Sequence, residues 1–216
     1  MDALVPLSAA AAPLLAGWSL HAAALRRLLR QARQDPLTGL PVRKAFMASA
    51  GRDLRRRSGA VVLVDLDGFK AVNDTHGHAA GDTVLAAVGQ RLATWAAGLD
   101  GNAARLGGDE FVATAYPGRS GDLPGDLVEL DGALSKPVLF RGTELVVGAS
   151  IGAFETTKFP ALALDCAMRR ADEAMYAAKR TGGGWRIAEG PVPEMTSTNG
   201  RRTGRPGTTT PVGGPR

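Results

Sequence analysis

The sequence is poor in the residues that build covalent or soft-metal frameworks. It has one cysteine, Cys166, and three histidines among 216 residues. A single cysteine excludes an intrachain disulfide, and a reducing compartment is the simplest setting for such a chain. The surrounding Leu-Asp-Cys-Ala-Met-Arg reads as helical, so a buried, inert thiol is expected there. No Cys/His cluster has the spacing of zinc ligands. His76 and His78 lie two apart without a third ligand candidate nearby, so they are not expected to hold a metal. Residues 3–25 contain no Asp, Glu, Lys or Arg. That run is long enough to span a bilayer, and Arg26, Arg27, Arg30 and Arg33 after it would hold that side in the cytoplasm. It lacks a basic stretch ahead of it, which argues against a cleaved signal peptide. Its alanine content, Pro6 and Pro13 argue for a docked apolar helix instead, so a membrane tether and a helix that does not span both stand open. Residues 189–216, rich in Gly, Pro, Thr and Arg, have almost nothing to bury and read as a disordered tail.

What is present is an ordinary globular composition, 44% hydrophobic and 22% charged, with a net charge of +5. Positive charge suits nucleic acid, an anionic membrane or a polyphosphate substrate. Much of it lies on the tail arginines, so no specific nucleic-acid binding is expected. The hydrophobic spacing predicts a helix over residues 20–34, with Leu25, Leu28 and Leu29 as its apolar stripe, stopping at Asp35-Pro36. A second helix fits residues 42–57, after Pro41.

The segment AVVLVDLDGFK follows. Val61, Val62, Leu63 and Val64 form a continuous run suited to a strand buried on both faces. Alternation puts Asp65 and Asp67 on one side of its C-terminal end, and Leu66 on the other with its carbonyl beyond the ladder. Acids at the end of a buried strand, with a second acidic turn elsewhere, suit Mg²⁺, which takes hard oxygen ligands and shares them with phosphates. Acids also simply solvate strand ends, and Asp-x-Asp alone does not decide between the two. Next, Asn73, Asp74, Gly77 and Gly81 read as a loop, and Asp82 as the N-cap of a helix that buries Val84, Leu85, Val88, Leu92 and Trp95. Further on, RLGGDEFVA reads as two strands joined by a tight Gly-Gly turn, with Asp109 and Glu110 set against bare backbone.

DPLTGL, VDLDGFKAVNDTHGHAAGD, RLGGDEF, ASIGAF and RRADEAMYAAKRTGGG occur in that order. Together they resemble the GGDEF domain family, the diguanylate cyclases, over about residues 35–187. The resemblance implies an α/β (α+β) palm-like domain, a mainly antiparallel central sheet surrounded by helices and preceded here by an N-terminal helix. It divides the chain into residues 1–34 (apolar segment and linker helix), 35–188 (cyclase domain) and 189–216 (tail). It implies condensation of two GTP into cyclic di-GMP and two pyrophosphates by a homodimer with Mg²⁺ (or Mn²⁺), in a cytoplasmic catalytic domain.

By the same resemblance, Asp65, the Leu66 carbonyl and Asp109 are the metal ligands, and Asp109 is also the proton acceptor. Glu110 is the supporting acid, and Lys70 offsets charge on the phosphates. Asn73 and Asp82 read guanine, whose edge offers one acceptor and two donors. Gly107 and Gly108 leave the turn's backbone open to GTP, and Lys179 binds phosphate. Two stretches depart from the family pattern. Gly183 stands where the family carries a phosphate-binding arginine, with Arg180 and Arg186 as the nearby substitutes. Ala97-Gly98-Leu99-Asp100 lacks the arginine of the family's Arg-x-x-Asp product-inhibition site. Three readings compete: an active diguanylate cyclase, a degenerate module that binds GTP or a partner without catalysis, and a cyclase with another product. Asn73 and Asp82 together argue against the last.

Overall fold

The structure is a computed structural model of the 216-residue chain and describes residues 18–25, 27, 32–117, 121–157, 159 and 163–190. The expected tail falls almost wholly outside the described residues, as does the first part of the apolar run, residues 3–17. Its remainder, residues 18–25, is helical, with Trp18 and Leu20 exposed. Among the described residues no helix is long and apolar enough to cross a membrane.

After this N-terminal helix come α1 (Arg43–Asp53), β1 (Ala60–Asp67), α2 (Phe69–His76), α3 (His78–Gly98), β2 (Ala103–Gly107), β3 (Glu110–Ala115), α4 (Leu123–Leu134), β4 (Val138–Phe140), β5 (Thr143–Leu145), β6 (Gly148–Glu155), α5 (Leu164–Arg180) and β7 (Gly184–Ile187). A five-stranded sheet runs in the order β2-β3-β1-β6-β7, and β4 and β5 form a separate hairpin. All neighbours in the large sheet are antiparallel except β6 and β7. This is the mainly antiparallel α/β architecture expected from the sequence.

The central strand β1 explains the layering. Its side chains alternate between faces. Val62, Val64 and Leu66 pack into the core that holds Val84, Val88 and Leu92 of α3 and Leu127 and Leu130 of α4. Val61 and Leu63 pack into the opposite core with Phe46 of α1 and Met168 and Met175 of α5. Each such side chain, fully buried, contributes about 1.5–3 kcal/mol, so the strand's position and register are strongly held. Because odd positions face α5, the next two odd residues, Asp65 and Asp67, emerge on the α5 side.

Five local expectations are corrected. The helix expected to reach residue 34 does not: residues 32 and 33 form a turn, and Gln34 bridges to Pro41. The Val42 amide donates to the Arg33 carbonyl at 2.9 Å, so pairing with residues 41 and 42 overrides helical propensity. The helix expected over residues 42–57 ends at Asp53; residues 54–56 continue as turns, and Arg57 donates from Nη2 to the Asp100 carbonyl at 2.7 Å and lies over the Tyr116 ring. Asn73 lies within α2 rather than in a loop, and Asp82 lies within α3 rather than at its N-cap. Gly77, at φ +82, turns the chain between the two helices in a single residue. Gly81 lets them close together, since a Cβ there would fall 2.1 Å from Asn73 Oδ1. Cys166 is helical as expected, but partly rather than fully buried.

Candidate active site

The site forms where β1 ends. Pairing with β3 stops at Asp65 opposite Glu110, whereas pairing with β6 continues through Leu66 opposite Ala149 to Asp67 opposite Gly148. Leu66 therefore lies past the end of the β3 ladder, as anticipated, with its side chain buried in the α3 core. Asp65 is 8% exposed. A buried carboxylate needs a compensating charge or hydrogen bonds, and here it has a charge. Lys179 Nζ, on the last turn of α5, lies 2.5 Å from Asp65 Oδ1.

What brings Lys179 there is the approach of α5 to the sheet. Gly152 of β6 lies directly under that helix, and a Cβ on it would come within 2.1 Å of the Ala171 carbonyl oxygen and 2.2 Å of the Met175 amide nitrogen. Only a bare backbone permits this spacing. Lys179 lies four residues past Met175 on the same helix.

The second acid comes from the β2–β3 turn. β2 and β3 are joined by Gly108 and Asp109, with a bulge between Arg105 and Gly107. Gly107 has φ +146 and Gly108 φ +55, values that L side chains rarely adopt. A Cβ on either would meet nothing within 4 Å, so the space over the turn is open. The turn is braced from below by Arg105, whose Nε and Nη2 donate to the Gly108 carbonyl at 3.0 and 2.7 Å. Arg105 Nη1 also donates to Asp35, at 3.1 and 3.2 Å to its two oxygens.

Electrostatics tie the two acids together. Burial pushes the Asp109 carboxyl above its ordinary range, and the charges of Asp65 and Glu110 add to this against a backbone hydrogen bond and Lys179. For Lys179, burial works downward, but the hydrogen bond and charge of Asp65, with the charges of Asp109 and Asp67, outweigh it and hold the ammonium above the usual lysine value. The ammonium thus lies in the field of three carboxylates. Asp65, Asp109 and the Leu66 carbonyl are hard oxygen donors of the kind Mg²⁺ takes. Among the described residues no group of three or more His, Cys, Asp or Glu could hold a metal by itself. Two carboxylates and a carbonyl leave coordination positions to be filled by water or phosphate oxygens.

The remaining candidates fall into place unevenly. Glu110 opens β3 directly opposite Asp65. Lys70 is exposed in the first turn of α2. Asn73 packs its amide against Gly81 of α3, and Asp82 follows Gly81 on that helix. Among the described residues no hydrogen bond or ion pair links them, or Lys70, to Asp65 and Lys179. Sequence reasoning missed Ser150, which is fully buried and donates from Oγ to Asp67 Oδ1 at 2.8 Å. It also missed Arg105 as the brace of the turn. A polar residue inside the apolar run ASIGAF was the available signal for the first; an arginine two residues before the glycines was the signal for the second. Gly183, at φ +95, sits against Asp67: a Cβ there would lie 2.6 Å from Asp67 Oδ2. Arg186 of β7 donates to Thr181 Oγ1 at 3.2 Å, at the end of α5.

Comparisons with known proteins find a matching family and similar folds. Residues 32–184 match the family described as diguanylate cyclase, GGDEF domain. An uncharacterised 19.3 kDa protein of the repSA 5′ region of Streptomyces ambofaciens is 48% identical over 178 residues, which is 81% of this chain and 93% of that protein. The diguanylate cyclase DgcN of Escherichia coli K12 is 44% identical over 104 residues, 46% of this chain but 25% of DgcN. An uncharacterised signaling protein of Caulobacter vibrioides, 39% identical, is likewise matched over only 21% of its length. Among solved structures, the coiled coil and GGDEF domain of DgcB from Caulobacter crescentus, in complex with c-di-GMP, superposes with a TM-score of 0.74 at 30% identity, covering 84% of this chain and 98% of that one.

Proposed function

The chain belongs to the GGDEF domain family, and on that premise we propose that it is a diguanylate cyclase that condenses two GTP into cyclic di-GMP and two pyrophosphates. The observation that carries this reading is the placement of Asp65 and Asp109 at one strand end and one turn, with the Lys179 ammonium beside Asp65. Each protomer holds one GTP, so the reaction takes place between two copies of the chain. Asp65, Asp109 and the Leu66 carbonyl would hold Mg²⁺ (or Mn²⁺). The ions, when bound, supply charge neutralisation at the triphosphate and lower the pKa of the attacking hydroxyl.

The protein's own groups do the rest. Asn73 of α2 and Asp82 of α3 present an amide and a carboxylate to guanine. The open turn at Gly107 and Gly108 admits the triphosphate, and Lys70 and Lys179 offset its charge. The 3′ oxygen of one GTP bonds to the α-phosphorus of the other, the α–β phosphoanhydride breaks, and pyrophosphate leaves. Asp109 accepts the hydroxyl proton. Two such steps close the ring.

A second reading, a module that binds GTP without condensing it, has one observation in its favour. Gly183 leaves no phosphate-binding arginine at that position, and a Cβ there would require Asp67 to shift. A missing charged hydrogen bond is worth about 1.5–3 kcal/mol, which slows turnover without abolishing it. The deciding experiment is incubation of the purified chain with GTP and Mg²⁺ and chromatographic separation of products. Cyclic di-GMP and pyrophosphate establish the cyclase, and unchanged GTP that remains bound establishes the module.

A further inference from the structure

Lys179 makes its ion pair with Asp65, one of the acids read above as a metal ligand, and not with a group outside the site. The contact is close, 2.5 Å, yet the lysine side chain is 48% exposed whereas that of Asp65 is 12% exposed. The lysine can therefore leave without disturbing the core, and the carboxylate cannot. Asp67 and Asp109 also act on the ammonium, so its charge is shared among all three acids of the site. A divalent cation at the Asp65 carboxylate would lie beside the Lys179 ammonium on Oδ1, and like charges that close repel.

We infer that Lys179 is the internal counter-ion of the nucleotide-free site, holding the place of the metal's charge, and that a triphosphate releases it by offering the ammonium another anion. Metal alone must then displace the lysine with no new partner for it. Metal arriving with a triphosphate gains Asp65 while the lysine moves to the phosphates. The site is thereby biased to load metal and nucleotide together, and the bias comes from this one side chain.

The inference rests on the assignment of Asp65 as a metal ligand, and the test separates the two. The full chain, free of nucleotide, is titrated with Mn²⁺, and binding is followed by loss of the EPR signal of the aquo ion. Lys179→Met is expected to bind Mn²⁺ alone about three- to fivefold more tightly than wild type, the change that one partly exposed ion pair of about 1 kcal/mol produces. Adding the α,β-methylene analogue of GTP should strengthen Mn²⁺ binding less in this variant than in wild type. Lys179→Arg, which keeps the charge, should behave as wild type. Thermal unfolding checks each protein, and Lys179→Gln carries the same comparison if the Met variant fails to fold. Unchanged or weaker Mn²⁺ binding in the charge-removing variant overturns the inference. If Asp65→Ala binds Mn²⁺ as tightly as wild type, the ligand assignment falls as well; if Asp65→Ala loses Mn²⁺ and Lys179→Met gains none, only the counter-ion role falls.

Discussion

Arg105 binds Asp35 and the Gly108 carbonyl with one guanidinium, so the segment that follows the N-terminal helix is tied directly to the turn that carries Asp109. Asp35 is further held by the Thr38 amide and hydroxyl at 2.9 and 2.8 Å. Burial pushes the Asp35 carboxyl up, but these hydrogen bonds and the charge of Arg105 outweigh it and hold it below its ordinary value. A lowered carboxyl stabilises the fold above its unfolded pKa, and that contribution is lost as pH falls through the lower folded value. Asp35→Asn should therefore cost about 1–2 kcal/mol at neutral pH, the lower part of the range for hydrogen-bonded charges because the pair borders solvent. Unfolding midpoints at pH 7 and in acid check this: the deficit should shrink in acid, and an equal deficit at both counts against it.

Asp109 has the opposite sign. Burial and the neighbouring acids raise its carboxyl, so the ionised form weighs against folding at neutral pH, and that penalty fades as pH falls through the folded pKa. Asp109→Asn should cut cyclic di-GMP synthesis by at least about a hundredfold, since charge stabilisation by the ions is worth several kcal/mol. The same variant should melt at a higher temperature than wild type at pH 7, with the gap narrowing on acidification. A lower melting temperature at pH 7 would contradict the electrostatic account, whatever the activity.

Gly152 tests the packing that sets α5. With an alanine, the added Cβ would press on the backbone of Ala171 and Met175. Gly152→Ala should cost about 1–3 kcal/mol as an overpacked core, and should lower activity by moving Lys179 relative to Asp65. A denaturant series with parallel activity measurements checks both; wild-type values in each would show that α5 repositions without consequence.

Dimerisation is read from kinetics. One GTP per protomer makes specific activity rise with protein concentration until the dimer is saturated. Removing residues 1–34 should lower specific activity and steepen that dependence, if the N-terminal helix is the pairing element. Constant turnover across dilution of either protein is the adverse result.

Feedback should be weak and competitive. Ala97 offers no donor for a product phosphate, where an arginine would supply a bidentate fork. Gly101 cannot contribute a side chain, because a Cβ there would lie 1.8 Å from the Thr114 carbonyl oxygen. Added cyclic di-GMP should therefore compete with GTP only, in steady-state kinetics at several GTP concentrations. Noncompetitive inhibition at low micromolar product would show that other groups rebuild a separate site.

The sequence by itself determined the architecture and the acids. The apolar run before Asp65 suited a buried strand, and alternation put Asp65 and Asp67 on one side of it. The paired glycines before Asp109 read as a turn, and five motifs in order named the family. Those features are local, since periodicity, turn chemistry and order are written along the chain. What only the tertiary structure decided lies in pairs far apart in sequence. Lys179 meets Asp65, Arg105 meets Asp35, Ser150 meets Asp67, and Gly152 sets the depth of α5. Residues 32–34, expected to be helical, instead turn because residues 41 and 42 compete for their backbone hydrogen bonds. Asn73 and Asp82, read as loop and cap, are helical because α2 and α3 pack on each other through Gly81. Local propensity is worth at most about 1 kcal/mol per residue for such side chains, so long-range packing and ion pairing overrule it wherever the two disagree.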